Sequence, residues 1–201
     1  MISLFLALKR KCPALWRGVE GVNGFLFRLR YRRLPQQAAE VLAGQNVSGY
    51  RFTLLEESAL PGLETFLQAQ PENNLTWFNP HPFDAKTLRR LWRNPAFLMM
   101  RVVAPDGRMA GYFFLRGFFI GRAFAGLIVD KRDQNQGIGT AIWASCAEIC
   151  RISGLKMQAT ISPENEPSVR SCHSGTQVRH VADLTNGYEA VECTSKNKQN
   201  R

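Results

Sequence analysis

Residues 125–147, AGLIVDKRDQNQGIGTAIWASCA, decide how this chain is read. Residues 125–129 are a continuous apolar run, as a buried strand needs. The charged and amide-rich residues 130–136 cannot continue that strand, so the chain turns there. Gly137 and Gly139 lack a Cβ, which lets a bulky ligand approach the backbone. From Thr140 onward, Ile142, Ala144, Cys146, Ile149, Cys150 and Ile152 recur at helical spacing. A loop of this kind, opening a helix, aims several unpaired backbone N–H groups at one spot, where phosphate is favoured.

Working outward, residues 109–129 are the most apolar segment of the chain. Arg116, Gly117, Gly121 and Arg122 interrupt it, and aromatic and β-branched residues dominate it. Two strands joined by a turn around residues 118–121 fit better than a membrane span. Upstream, residues 50–55 alternate as a first strand, and residues 58–70 follow as a helix. Residues 71–83, PENNLTWFNPHPF, form an irregular aromatic loop. Asp84 caps a helix ending near Trp92, and residues 96–104 form a strand. Downstream come a strand over residues 156–161, a short helix over 167–174, and closing strands over 178–181 and 188–193.

Composition narrows the function. The chain has 201 residues, with 45% hydrophobic and 21% charged, as in a folded domain with additions. Its net charge is +10, but residues 1–50 hold eight Lys/Arg against two Glu and the last eight residues add three more cations. The body between them has little net charge and so lacks the basic footprint of a nucleic-acid-binding domain, and nucleic acid is not an expected partner. Leu4, Leu8, Cys12, Leu15, Val19, Val22, Leu26 and Leu29 make a helical stripe, which Pro13 interrupts, among basic and aromatic residues. Such a basic amphipathic extension, residues 1–34, lies on an anionic membrane surface, or packs on its own domain or on the other chain of a homodimer. Residues 34–48 read as a connector around a short helical piece. The five cysteines are odd in number and no secretory signal is visible, which places reduced thiols in the cytoplasm, with peripheral attachment at the inner membrane face if the extension binds lipid. Cys146 and Cys150 read as small apolar packing groups, and no metal site is expected.

The segment V-D-K-R-D-Q-N-Q-G-I-G resembles the acyl-CoA-binding signature Q/R-x-x-G-x-G/A of the GNAT acetyltransferase superfamily, with Gln134, Gly137 and Gly139 on its defining positions. Asn165-Glu166-Pro167-Ser168 resembles the family's N-x-x-S/A segment, one helix and one strand further on. The resemblance covers roughly residues 50–193. It implies a mixed, mostly antiparallel α/β sheet flanked by helices, in a domain over residues 49–193 between an extension (1–48) and a polar tail (194–201). It implies acetyl-CoA as cofactor, held by Ile128, Val129, Gln134, Asn135, Gln136, Gly137, Ile138, Gly139, Thr140, Asn165 and Ser168.

The resemblance further implies an acceptor pocket in the aromatic loop, at Trp77, Phe78, Asn79, His81 and Phe83. The family often places a tyrosine proton donor seven residues after the asparagine. Here that position is Cys172, with His173 beside it, and both are candidates for the role. His81 is preferred as the base over Glu164 and Asp130. The expected reaction is N-acetylation of a small molecule or amino sugar, with a membrane-proximal glycan precursor one such acceptor. The altered Cys172 region leaves a second expectation open, a catalytically weak or inactive coenzyme-binding adaptor at a membrane. A ribosome- or RNA-associated acetyltransferase is a third.

Overall fold

The computed structural model describes residues 13–185 and 187–196. Helices α1 (Pro13–Arg30) and α2 (Leu34–Ala43) lead into strand β1 (Arg51–Leu54). Next come α3 (Leu60–Gln68), the short α4 (Glu72–Leu75) and α5 (Ala85–Trp92). Strands β2 (Phe97–Val103), β3 (Met109–Phe118) and β4 (Arg122–Val129) follow, then α6 (Ile138–Ser153) and β5 (Lys156–Ile161). Helix α7 (Glu166–Gly175), β6 (Thr176–Asp183) and β7 (Glu189–Ser195) complete the chain. The apolar segment 109–129 is the β3–β4 hairpin, and none of the described helices is long and apolar enough to cross a membrane.

The strands form one sheet in the order β1-β2-β3-β4-β5-β7-β6. Every neighbouring pair is antiparallel except β4 and β5, which run parallel. That parallel pair is short, joining only Arg122 to Lys156, Ala123 to Met157 and Phe124 to Gln158. Beyond Phe124 the two strands part, and the sheet splays open.

Both sheet faces are covered, which is why β3 reads as a solid apolar run rather than an alternating one. Successive β3 side chains enter opposite layers. Phe113 and Leu115 join α2 and α6 through Leu34, Ala38, Leu42, Ile142 and Ile149. Tyr112 and Phe114 join α3 and α5 through Leu63, Leu67 and Leu88. The segment read as a connector therefore supplies a core helix: Leu34, Ala38 and Leu42 of α2 are all buried. The irregular loop also contains one ordered turn, α4, capped by Pro71.

Helix α1 lies against the β3–β4 turn, and its inward face is not the apolar stripe. Asn23 donates from Nδ2 to the Gly117 carbonyl (3.1 Å) and accepts from the Phe119 N–H (3.1 Å). Glu20 pairs with Arg116, and Phe27 and Tyr31 are buried. Val19, Val22 and Leu29 of the stripe point to solvent with Phe25, so this part of the stripe is not packed on the protein's own domain. Leu4, Leu8 and Cys12 lie outside the described residues. A polar contact sets the rotation: turning the stripe inward would carry Glu20 and Asn23 out to solvent and leave Arg116, the Gly117 carbonyl and the Phe119 N–H without their partners on the helix.

The Phe27 ring occupies the space that a side chain at position 117 would need, lying 2.2–3.0 Å from where a Cβ would stand. The expected outcome for Gly117→Ala is a loss of about 1–3 kcal/mol, from overpacking at the α1–sheet contact. Urea unfolding checks it. Gly62→Ala, where no atom lies within 4 Å of the added Cβ, is the control.

Candidate active site

The parting of β4 from β5 opens a cleft of about 580 Å³ at the C-terminal end of β4. Its walls come from Ala125–Val129 on one strand and Thr160–Ser162 on the other, with the loop and first turn of α6 below and α7 beside them. Just past β4, Asp130 donates its N–H to Ala110 on β3. Alternation then points the Ile128 N–H to β3 as well and turns those of Leu127 and Val129 to the open side. There β5 has already diverged, so these two amides face the cleft without a ladder partner.

The loop between β4 and α6 is shaped by two left-handed residues, Asn135 (φ 63°) and Gly137 (φ 80°). Gly137 is the N-cap of α6, and the first helical bond runs from Ala141 N–H to the Gly137 carbonyl (3.0 Å). The N–H groups of Ile138, Gly139 and Thr140 therefore have no partner within the helix, and they converge at its positive end. A Cβ on Gly137 would meet nothing within 4 Å, so space for a ligand exists there. Gly139 is small for another reason: its Cβ would come 3.3 Å from Ser171 Cβ, where α6 crosses α7.

A chain of amides fastens the end of β4 to α3 and α4. Gln134 donates to Asn74 Oδ1 (3.0 Å), while Asn74 donates to the Val129 carbonyl (3.1 Å) and to Gln70 (2.7 Å). On the loop side, Asp130 accepts from the Arg132 guanidinium (2.9 Å), whose hydrogen bond lowers its pKa to about 2. The buried Asp133 is held as a carboxylate by Arg108 and also accepts from the Tyr50 hydroxyl (2.7 Å), whose pKa that bond raises. These ion pairs fix the loop that carries Gln134.

All three signature positions, Gln134, Gly137 and Gly139, line this cleft, as do Ile128, Val129, Asn135, Ile138, Thr140, Asn165 and Ser168. Asn165 is the N-cap of α7, and its side chain accepts from the Ser168 N–H (3.3 Å). Gln136 is exposed on the same loop but is not part of the cleft wall. Lys131 and Arg170 stand at the wall with positive charge. The indole of Trp143 also lines the cleft, and its Nε1 has no partner among the described residues.

The acceptor half departs from expectation. Trp77 and Phe78 line the cleft, but Asn79, His81 and Phe83 do not. The His81 ring sits in a box of Phe83, Phe97, Tyr112 and Phe114. Its Nδ1 donates to the Pro82 carbonyl (2.9 Å), which leaves Nε2 to accept from the Tyr112 hydroxyl (3.3 Å). Burial lowers its pKa, and the neutral ring is tied into the aromatic layer rather than poised over the cleft. Asp130 is committed to Arg132, and Glu164 is exposed outside the wall.

Cys172 is fully buried, with its sulfur 3.6 Å from Cys193 and 3.7 Å from Thr176 Oγ1. It faces the α7–β7 core and does not reach the cleft. Its neighbour His173 is exposed and likewise absent from the wall. Helix geometry explains both: Ser171 and Ser174 hold the cleft-facing positions of α7, and Cys172 and His173 lie between them, a quarter-turn away. The phenol that does line the cleft is Tyr188, just before β7, edge-on to Trp77 at 6.3 Å between ring centroids. Sequence reasoning missed Tyr188 and Asn74. Both come from segments outside the two motifs, and no local pattern marks them.

A cradle of helix-terminal amides in a splayed α/β sheet is a site built for an anionic ligand such as a phosphate. The chain belongs to the acetyltransferase (GNAT) family, whose family model matches residues 65–174, more than half of its length. No curated protein matches it by sequence. Among solved structures it is similar to the GNAT domain of S. lividans PAT, at 13% identity and a TM-score of 0.62, covering 71% of this chain and 89% of that one. It is also similar to a ribosomal-protein-S5-alanine acetyltransferase from Vibrio fischeri (14% identity, TM-score 0.60), covering 78% and 98% of the two chains. A third similar structure is the aminoglycoside acetyltransferase AAC(6')-Ib with coenzyme A and kanamycin (15% identity, TM-score 0.57), covering 73% and 95%. Acetyl-CoA is the cofactor of this family.

The ion pairs beneath the cleft make two expectations measurable. Asp133→Asn leaves Arg108 without its main partner and should cost about 2–4 kcal/mol of stability, read by urea unfolding at neutral pH. Asp130 and Asp133 both have folded-state pKa values below the unfolded value of about 4. Their contribution is therefore complete above that pH and is lost as pH falls below it, for Asp130 toward about 2. A titration of unfolding free energy in Asp130→Asn should run flatter than wild type across that window.

Proposed function

We propose that the protein moves an acetyl group from acetyl-CoA to an amine of a small molecule or amino sugar. The observation that carries this reading is the convergence of both motifs on one cleft, with Gln134, Gly137 and Gly139 facing Asn165 and Ser168 across it. The residues present suit the coenzyme. Three free N–H groups at the head of α6, with Lys131 and Arg170 nearby, would hold its phosphates, and the gap between β4 and β5 would take its extended arm. When bound, the coenzyme supplies the acyl group as a thioester already activated toward an amine.

The protein's own part is mainly positioning. The Leu127 and Val129 N–H groups are fixed donors for negative charge on an acyl oxygen in the gap, and the amide chain from Gln70 to Gln134 holds that strand end still. Trp77, Phe78 and Tyr188 narrow the opposite wall, where an acceptor would be oriented and water thinned. Asp130 and Asp133 are committed to arginines, so the amine proton leaves through solvent in the cleft. The Tyr188 phenol takes the place in which Cys172 was expected, as the proton donor to the departing sulfur. The kanamycin-bound acetyltransferase is the comparison that favours an amine on a sugar-like acceptor.

Three measurements test this reading. Acetyl-CoA should raise the melting temperature, and Gly137→Val, which forces a β-branched residue into φ 80°, should abolish the rise. No shift at millimolar acetyl-CoA in the wild type would sink the proposal. Screening amines with a thiol-release assay should find acceptors among amino sugars or polyamines. Tyr188→Phe should then lower kcat at least about tenfold with KM little changed. An unchanged kcat would remove Tyr188 from the reaction.

A further inference from the structure

The end of the molecule opposite the cleft carries a surface that the transfer reaction does not use. On α1, Val19 (41% exposed), Val22 (60%), Phe25 (55%) and Leu29 (59%) lie on the outward arc, at spacings of three and four residues. The arc continues onto the β3–β4 turn, where Phe119 (43%) and Ile120 (61%) are also exposed. The two parts are fastened together, because Arg30 donates to the Phe119 carbonyl (2.9 Å) and Asn23 accepts from the Phe119 N–H. The apolar residues thus form one ridge built on rigid backbone rather than scattered exposures.

A basic cleft of about 740 Å³ flanks this ridge on the α5 side. Gly21 and Phe25 of α1 form one wall, and Lys86, Arg89, Arg90 and Arg93 reach it from α5 or its end. Two carboxylates cap the start of α5, Asp84 accepting from the Thr87 N–H and Glu64 from the Ala85 N–H. Glu20 lines the cleft but pairs with Arg116, and Glu57 lies 3.9 Å and 3.7 Å from Arg89 and Arg93, with both arginines well exposed. Arg28, Arg32 and Arg33 add exposed charge along α1 and just past its end. An apolar ridge beside a row of cations matches one partner: a bilayer whose headgroups are anionic and whose acyl region starts a few ångströms below.

We infer that α1, the β3–β4 turn and α5 together dock the protein on an anionic membrane surface, with Phe25, Val22, Leu29, Phe119 and Ile120 entering the interface and the arginines of α5 at headgroup level. Charge favours this occupant over a second copy of the chain. A copy would bring its own cations against these, and like charges across an interface repel.

The test is co-sedimentation of the full chain with vesicles. It should pellet with phosphatidylcholine vesicles holding about one-third phosphatidylglycerol and stay in solution with phosphatidylcholine alone, and added salt should weaken it. Two variants at exposed positions should each lower the partition coefficient at least about tenfold while keeping the wild-type melting temperature. One is Val22→Asp with Phe25→Asp, and the other is Arg89→Glu with Arg90→Glu and Arg93→Glu. Unchanged partitioning in both variants, or equal binding to neutral vesicles, would overturn the inference. So would a concentration-dependent dimer in sedimentation velocity that Phe25→Asp dissolves.

Discussion

The fold turns on one interrupted ladder. Between β4 and β5 the backbone hydrogen bonding stops after Phe124 and Gln158, although both strands continue. A sheet that stayed closed would satisfy those amides internally and leave no site. By parting, the strands leave donors on β4 facing solvent, and exposed amides of that kind demand a partner from outside the chain. The remaining architecture keeps the gap from collapsing. α6 packs across the sheet just below it, with Ile142 and Ile149 in the core, and β7 closes the far side of β5 so that its other edge is fully paired. The parallel direction of β5 is itself a consequence of the intervening helix, since a crossover of that length is what joins parallel neighbours.

Polar side chains then do locally what the missing ladder cannot. Asn74 and Gln134 take up the Val129 carbonyl on the open side, and Asp130 and Asp133 anchor the loop that follows through Arg132 and Arg108. Such groups are costly to bury unless fully paired, so the network either forms as a unit or fails as one. This makes the strand end rigid without filling the gap. It also explains why carboxylates next to the cleft are unavailable as bases: they are already serving as counter-ions.

Much of the coenzyme half was legible in the sequence because its demands are local. A positive φ at residue 137 calls for glycine, and a helix opening after a strand needs a cap. Both requirements are written within a few residues. The same holds for Asn165, which caps α7 through Ser168. The acceptor half was less legible because it is assembled from distant segments. Tyr188 arrives from the loop before β7, while His81, in an aromatic loop that did look like a pocket, turns inward to Tyr112. Periodicity likewise showed that α1 is a helix with an apolar stripe, but not which way it faces. Asn23 and Glu20 set the rotation through contacts nearly a hundred residues away. One-letter patterns record faces, and only tertiary partners choose between them.

The length of β4 has a consequence for the geography of the reaction. Its eight residues, Arg122–Val129, begin beside the exposed turn and end at the cleft, and a strand of that length spans about 26 Å. A protein resting on lipid through the turn would hold its transfer site up to that far above the headgroups. A freely diffusing amine would meet no obstacle in reaching it. An acceptor tethered in the same bilayer would need a stalk several sugar units long, so reach, rather than chemical recognition alone, would sort the substrates such a protein could use.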